Sequence, residues 1–162
     1  MNPEKNILPL RELNELKVQL GQKRIALVGG CFDIFHYGHL HFLREAKRGG
    51  DILVVLLESD EFIRLRKRKE PFHTQSQRAE ILAELKVVDY VVLLPFLENP
   101  DKEYGEIVED LKPSVIPITK GDVHRDKKLL LAKRVGAQLI EINQLASFSS
   151  SQITTYASIL RD

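Results

Sequence analysis

Short apolar runs alternate with amphipathic stretches along the chain, and this alternation limits the fold more than any other feature. Five runs are rich in Val, Ile and Leu and have the length of strands: RIALVGG, DILVVLLES, YVVLLP, SVIPIT and QLIEI. The stretches between them place Leu, Ile or Ala at helical spacing. Strands that alternate with helices form one parallel sheet covered on both faces, with right-handed crossovers. We therefore expect a doubly wound α/β domain with a five-stranded parallel sheet.

Several residues signal where these elements begin or end. A leucine stripe near the N-terminus predicts a helix over about 9–21. Thr74 and Gln77 have the spacing of a capping box, and Pro100 suits the first position of a helix. Pro117 removes a backbone donor from its strand, which favours an edge or an end of the sheet.

Size and charge exclude several classes of protein. The 162 residues suit one domain with a real core, so we treat 1–162 as a single domain. The 24 basic and 23 acidic residues nearly cancel, which argues against a nucleic-acid or membrane partner. One cysteine excludes an internal disulfide, and no apolar run approaches the ~20 residues of a membrane span. The first residues also lack the layout of a signal peptide, so we expect a soluble, cytoplasmic protein.

The junction GGCFDIFHYGH, residues 29–39, concentrates glycine and histidine between a predicted strand and a predicted helix. Its two leading glycines allow a tight turn and a close approach of a ligand to the backbone. The helix that begins near Gly38 offers free N–H groups and a positive dipole end, which bind phosphate well. His36 and His39 flank this terminus and can donate hydrogen bonds to phosphate oxygens. The junction therefore predicts a phosphate site, although it matches neither G-x-G-x-x-G nor G-x-x-x-x-G-K-[ST].

Plainer interpretations of the same residues stay open. His36 and His39 can be ordinary surface residues near a helix start. A zinc site would need further ligands, for which Cys31, His73 and His124 are the candidates, and their spacing does not favour one. Cys31 is better explained as a small buried residue than as a nucleophile, because no base is identifiable beside it.

Strand, junction and helix together resemble the HxGH nucleotidyltransferases of the cytidylyltransferase-like superfamily. The matching residues are Gly30, Phe32, Asp33, His36, Gly38 and His39. Later segments extend the resemblance over nearly the whole chain: SFSSSQI resembles the Ser/Thr motif that opens the last helix, Arg78 an arginine that opens a middle helix, and TKGD a Gly-Asp pair after a strand. The junction most resembles the adenylyltransferase domain of ADP-heptose synthases.

Two other branches compete with this one. Glycerol-3-phosphate cytidylyltransferases usually have threonine where Cys31 stands and basic residues where Gln144 and Gln152 stand, so the resemblance favours ATP over CTP. A non-catalytic nucleotide-binding domain is the third alternative. It is motivated by departures from the family pattern at Gly29, Lys120, Ser147 and Gln152.

The resemblance implies a Rossmann-like nucleotidyltransferase that transfers AMP from ATP to a sugar 1-phosphate and releases pyrophosphate. It makes His36 and His39 the catalytic residues. It assigns nucleotide binding to these two and to Gly30, Cys31, Phe32, Asp33, Gly38, Gly121, Asp122, Ser149, Ser150 and Ser151. Ser149 would cap the last helix in either case. Relatives are commonly dimers, so we expect a homodimer.

The resemblance also implies Mg²⁺ with the nucleotide, and two phosphate-binding cations. Asp33 either helps to hold the ion or only shapes the turn. Arg78 suits a phosphate because of its forked guanidinium. Lys67, or a neighbour in the basic cluster RLRKRK (residues 64–69), matches a lysine placed over the phosphates. For most of that cluster a solvated loop is the simpler explanation.

Overall fold

A parallel sheet of six strands with helices on both faces is the frame of the computed structural model, which describes residues 6–145 and Ile153. The strands are β1 (Ile7–Pro9), β2 (Ile25–Gly30), β3 (Ile52–Leu57), β4 (Tyr90–Leu93), β5 (Val115–Thr119) and β6 (Gln138–Ile142). The helices are α1 (Leu13–Leu20), α2 (Tyr37–Lys47), α3 (Asp60–Lys67), α4 (Gln75–Ala83), α5 (Pro100–Leu111) and α6 (Arg125–Val135). The strand order β1-β4-β3-β2-β5-β6 confirms the doubly wound α/β fold.

The predicted count of five strands is wrong, because β1 adds a sixth. This strand has only three residues and pairs with β4 from Ile7 opposite Val91 to Pro9 opposite Leu93. So short a segment has no measurable periodicity, and a partner far along the chain decides its conformation. The helix predicted over 9–21 is correspondingly shorter, since a 3₁₀ turn at Leu10–Glu12 precedes α1.

The central strand β3 is buried on both faces, which is why DILVVLL shows no alternation. Ile52, Val54 and Leu56 pack in the apolar cluster that contains residues of α1, α5 and α6. The intervening residues of β3 pack in the cluster that contains residues of α2 and α4. The two clusters are the two layers of core on either side of the sheet.

Helix ends follow the sequence signals, with one helix more than the pattern predicts. Thr74 and Gln77 form the expected capping box at α4, and Pro100 opens α5. The segment before the basic cluster forms α3, which Ser59 caps by accepting a hydrogen bond from the backbone N–H of Phe62 at 3.1 Å. Most of the basic cluster is therefore the end of a helix, where cations complement the dipole. None of the helices among the described residues has the length and apolar character needed to cross a membrane.

The sheet opens between β2 and β5 at their carboxyl ends. All six residues of β2 pair in register with β3, whereas β5 is in register with β2 only where Ala26 faces Val115. Pro117 lies beyond that last pair, so its missing N–H costs no bond to β2. The prediction that its strand lies at an edge is wrong, because β6 pairs on the far side of β5. The strand order reverses here, which makes the gap a topological switch point.

Gly50 and Gly105 provide a matched test of this packing. A Cβ at Gly50 would lie 2.7 Å from the backbone nitrogen of Ala26 and from the carbonyl oxygen of Arg24, so Gly50→Ala should lower the free energy of unfolding by about 1–3 kcal/mol. A Cβ at Gly105 in α5 would meet no atom within 4 Å, so Gly105→Ala should raise it by about 0.5–1 kcal/mol through better helix propensity. Urea unfolding measures both, and changes of the same sign would contradict the packing described here.

Candidate active site

A cavity of about 670 Å³ occupies the gap between β2 and β5 and extends over the start of α2. This volume is typical of small-molecule sites. It brings together most of the residues predicted from the sequence, namely Gly30, Cys31, Phe32, Asp33, His36, Gly38, His39, Lys67 and Asp122. Gly121 lies in the turn beside Asp122 but does not line the cavity. Ser149, Ser150 and Ser151 lie outside the described residues, as do the departures at Ser147 and Gln152.

His36 is held by its position at the start of α2. Its backbone is extended, and its Nδ1 accepts a hydrogen bond from the backbone N–H of His39 at 3.4 Å. An N-cap of this kind satisfies one of the free N–H groups of the first turn. Because Nδ1 is the acceptor, the proton of the neutral ring lies on Nε2. That N–H is available to an anion at the helix terminus.

His39 lies deeper than His36, against its ring and two phenylalanines. The two histidine rings stack with their centroids 3.8 Å apart, while Phe32 and Phe35 contact His39 at 5.2 and 5.6 Å. Burial, together with the charges of the nearby His36 and Lys67, lowers the pKa of His39 to about 4. Burial also lowers the pKa of His36. Both rings are therefore neutral at pH 7, and an anionic ligand would favour their protonation.

The loop between β2 and α2 is tightly packed around Phe32. This residue has φ +48°, in the left-handed region that bulky residues rarely adopt. Its ring covers the preceding turn so closely that a Cβ at Gly30 would lie 2.9 Å from it. Strain of this kind, about 1–3 kcal/mol, persists only where the surrounding packing imposes it. The side chain is 7% exposed and packs in the core, so the loop has a fixed shape.

Asp33 ties this loop to the segment between α3 and α4. One carboxylate oxygen accepts hydrogen bonds from the backbone N–H groups of Phe72 and His73 at 2.7 and 3.3 Å. The other lies 3.1 Å from Nζ of Lys69. Burial raises the pKa of Asp33, but these hydrogen bonds and the charge of Lys69 outweigh it, so the net pKa is lowered. Asp33 is therefore ionised and fully engaged in holding two loops together.

Cations line both ends of the cavity. At one end, Lys67 lies beside the thiol of Cys31; burial raises the pKa of that thiol against the opposing effect of Lys67. At the other end, Lys128 donates to the carboxylate of Asp122 at 2.7 Å. Burial raises the pKa of Asp122, yet the bonds from Lys128 and from the backbone N–H of His124 lower it overall. Of the three described lysines that line the cavity, Lys69 and Lys128 are paired with Asp33 and Asp122, which leaves the charge of Lys67 to favour an anionic ligand.

Arg78 lies beneath the site instead of in it. The side chain is fully buried, and its three guanidinium nitrogens donate to Cys31 O at 2.6 Å, His73 O at 3.2 Å and Asp60 Oδ1 at 2.7 Å. It therefore joins the loop after β2, the start of α3 and the residue before the cap of α4. Its role as a phosphate ligand stays a prediction.

Several residues that shape the cavity carry no signal in the sequence. Lys128 and Tyr104 reach it from α6 and α5, where one basic or aromatic residue in an amphipathic helix looks like any other. The sequence does not distinguish Lys69 from the other basic residues of the cluster at 64–69. Glu58 directly follows β3 and lies beside the end of β2, where its backbone N–H donates to Gly30 O at 3.0 Å, only because β3 and β2 are neighbours in the sheet.

Replacing Arg78 tests its anchoring role. Arg78→Met should lower the free energy of unfolding by about 3 kcal/mol, because it leaves Asp60 and two buried carbonyl groups without a donor. Arg134→Met is the matched control, since Arg134 pairs with Glu109 at the surface and its loss should cost under about 1 kcal/mol. Urea denaturation of both variants measures the difference, and similar losses would contradict the anchoring role.

The lowered pKa of His39 predicts how stability depends on pH. An unfolded histidine takes up a proton near its ordinary pKa of 6.5, whereas the folded one does so near 4. Between these values the unfolded chain binds more protons, so stability falls as the pH is lowered through that window. His39→Gln should flatten this part of the stability profile. Thermal unfolding from pH 7 to pH 4 measures it, and parallel profiles for the two proteins would show that His39 is not desolvated.

Comparison with known proteins identifies relatives that match most of this chain. The sequence profile of the cytidylyltransferase-like family matches residues 27–155. The FAD synthase of Thermococcus sibiricus is 41% identical over 125 residues, covering 75% of this chain and 82% of that protein. The bifunctional protein HldE of Campylobacter fetus is 36% identical over 153 residues. That alignment covers 94% of this chain but only 30% of the HldE protein.

The fold comparison agrees with the sequence comparison. The crystal structure of a lipopolysaccharide core biosynthesis protein from Thermoplasma volcanium superposes with a TM-score of 0.60 at 28% identity. It covers 76% of this chain and 97% of that one. The profile match spans both the β2–α2 junction and the β5–α6 turn that form the cavity. The chain belongs to the cytidylyltransferase-like family of nucleotidyltransferases.

Proposed function

We propose that this protein is a cytoplasmic adenylyltransferase that transfers AMP from ATP to the phosphate of a sugar 1-phosphate and releases pyrophosphate. The observation that carries the proposal is the stacked pair of His36 and His39 at the N-terminus of α2, facing a cationic cavity. Nucleotidyl transfer is the chemistry of the family. The resemblance of the β2–α2 junction to ADP-heptose synthases supports ATP and a sugar phosphate as the substrates.

The reaction needs positioning and charge stabilisation, without a covalent enzyme intermediate. An oxygen of the acceptor phosphate attacks the α-phosphorus in line, the bond from the α-phosphorus to the bridging oxygen breaks, and pyrophosphate takes both bonding electrons. His36 Nε2–H, His39 and the free N–H groups of α2 donate to the oxygens whose charge grows in this step. Lys67 neutralises phosphate charge directly, and Lys128, which is paired with Asp122, lines the same cavity.

We assign Mg²⁺ to the nucleotide and not to a cage of protein ligands. Both oxygens of Asp33 already hold Lys69 and two backbone N–H groups, and Asp122 is engaged by Lys128 and His124. Within residues 6–145 and Ile153, no three His, Cys, Asp or Glu side chains converge as ligands. Mg²⁺ commonly keeps several waters and binds substrate phosphates, so the site fits an ion that arrives on the triphosphate. Asp33 then serves to position the loop.

FMN is the second candidate acceptor, because the chain is 41% identical to an FAD synthase. FAD contains AMP joined to FMN through a diphosphate, so its synthesis from ATP is also an adenylyl transfer. Both acceptors thus favour ATP. The alternatives of CTP with glycerol 3-phosphate, and of nucleotide binding without catalysis, are decided by the same assay.

Pyrophosphate release with Mg²⁺ is the decisive assay. Purified protein is mixed with ATP or CTP and with a heptose or hexose 1-phosphate, FMN or glycerol 3-phosphate. We expect release with ATP and a sugar 1-phosphate. If pyrophosphate is released only with the pair ATP and FMN, the proposed acceptor is wrong and the proposed nucleotide is right. Release with CTP alone would overturn the choice of nucleotide. Binding of ATP without release in any pair would favour the non-catalytic alternative.

The two histidines can be tested with a third as control. His36→Ala and His39→Ala should each lower kcat by about 10²–10³-fold, because each removes a donor that acts on developing charge. His124→Ala is the control, since that side chain is exposed and does not line the cavity. Circular dichroism verifies the fold of each variant. Near-normal turnover of a folded His36→Ala enzyme would refute the assignment.

A further inference from the structure

Two buried side-chain atoms among the described residues have no hydrogen-bond partner: Nδ1 of His39, which lines the cavity, and Oε2 of Glu58, which lies near Lys67 and Tyr104 of the cavity wall. Glu58 follows β3 directly, and its backbone N–H donates to Gly30 O at 3.0 Å. An unpaired buried acceptor costs about 1–3 kcal/mol, so native proteins rarely keep one without a reason. The proposed chemistry at the histidines leaves Glu58 unexplained.

Tyr104 of α5 is the second polar group without an explanation. Its hydroxyl oxygen lies 2.7 Å from the position that a Cβ at Gly29 would occupy, so it fills the space of a side chain at the end of β2. The ring lines the cavity. Burial raises the pKa of Tyr104, as do the charges of Glu58 and Asp122, so the phenol stays neutral and can donate. Within the described residues this hydroxyl makes no hydrogen bond.

Tyr104 belongs to the layer of core that contains α5, and the strand pattern assigns Glu58 to the same layer. Along β3, Val54 and Leu56 face the layer that contains α5, and alternation places Glu58 on the same face. The α2 helix with its histidines covers the opposite face. Oε2 of Glu58 is buried, and burial raises the pKa of this carboxyl to about 7 against the opposing charges of Lys67 and Arg78.

We propose that Tyr104 and Glu58 form a subsite that binds hydroxyl groups of the phosphate acceptor. A phenol donor beside a carboxyl acceptor matches the neighbouring hydroxyl groups of a sugar or polyol chain. Asp122, the carboxyl group on the nucleotide side, is paired with Lys128. Glu58 Oε2 has no donor among the described residues, so this wall suits the hydroxyl groups of a substrate. This inference rests on the proposed function, in which the nucleotide is held by the β2–α2 loop and by Asp122 after β5.

The strand order also places the proposed acceptor subsite and the proposed nucleotide site on opposite sides of β2. Glu58 follows β3, and Asp122 follows β5, on opposite sides of β2. The acceptor phosphate would then lie near Lys67, between the hydroxyl subsite and the histidines. A heptose phosphate and the ribityl chain of FMN share this chemistry, which is a phosphate monoester on a hydroxylated carbon chain.

Conservative variants test the subsite. Tyr104→Phe and Glu58→Gln should each raise the KM of the acceptor about tenfold, the loss of one buried hydrogen bond, and leave the KM of ATP within about twofold. Tyr90→Phe is the matched control, because Tyr90 is a partly buried tyrosine at the amino end of β4 whose hydroxyl accepts from Gln19 at 3.4 Å. Tyr104→Phe removes one oxygen and adds no volume, so it keeps the fold even if Glu58→Gln does not.

Binding measurements separate this proposal from the proposed function. Calorimetry with a hexose 1-phosphate, FMN and inorganic phosphate should show tighter binding of a hydroxylated ester than of inorganic phosphate, and Tyr104→Phe should remove that preference. The better of the two esters identifies the source of the hydroxyl chain. If pyrophosphate is never released but the preference for a hydroxylated ester over inorganic phosphate depends on Tyr104, the proposed adenylyl transfer is refuted and the hydroxyl subsite is supported.

Other outcomes would overturn the subsite. Turnover with an unchanged acceptor KM in both variants would do so while leaving the function intact. A loss confined to ATP affinity would place the nucleotide ribose against Tyr104 in place of the acceptor. Equal binding of inorganic phosphate and both esters by the wild-type protein would also refute it.

Discussion

The unequal pairing of β2 with its two neighbours is the constraint from which the site follows. The strand is in register with β3 along its whole length but with β5 only at Ala26. The carboxyl ends of β2 and β5 therefore separate, and helices on the two faces leave a cleft above them. Pro117 lies in the open part of β5, where a missing N–H leaves no partner of β2 unpaired. The residues of the β2–α2 junction, Lys67, Tyr104 and Asp122 all reach this one opening.

Buried ionic and hydrogen-bonded contacts hold the loops around the cleft. Arg78 links the loop after β2, the start of α3 and the segment before α4. Asp33 links the loop after β2 to the segment between α3 and α4. Charges that serve the framework are thus paired inside it, whereas Lys67 lines the cavity beside the Cys31 thiol and close enough to Glu58 to lower the pKa of that carboxyl. Because the residues that hold the loops are already paired, an anion can bind at the cavity without a rearrangement of the loops. Donors that are preorganised in this way stabilise developing charge.

The two faces of the sheet carry different parts of the proposed chemistry. On the α2 face, the histidine pair and the helix terminus would bind phosphate. Any nucleotidyl transfer requires such phosphate binding. On the α5 face, Tyr104 occupies the space above Gly29, and Oε2 of Glu58 has no hydrogen-bond partner among the described residues. Gly29 departs from the family pattern, and the phenol of Tyr104 explains a glycine there sterically, because its hydroxyl oxygen lies 2.7 Å from the position that a Cβ would occupy. Relatives with different acceptors are expected to differ on this second face.

The sequence by itself determined the fold class, most element boundaries and the phosphate side of the site. These depend on local patterns: apolar runs, caps at Thr74 and Pro100, and one contiguous junction from Gly29 to His39. Tertiary structure alone decided the sixth strand, the buried position of Arg78 and the approach of Glu58 and Tyr104 to the cavity. Each of these depends on partners distant in sequence, such as β4 for β1 or α5 for β2, and no local periodicity records a contact made across the sheet.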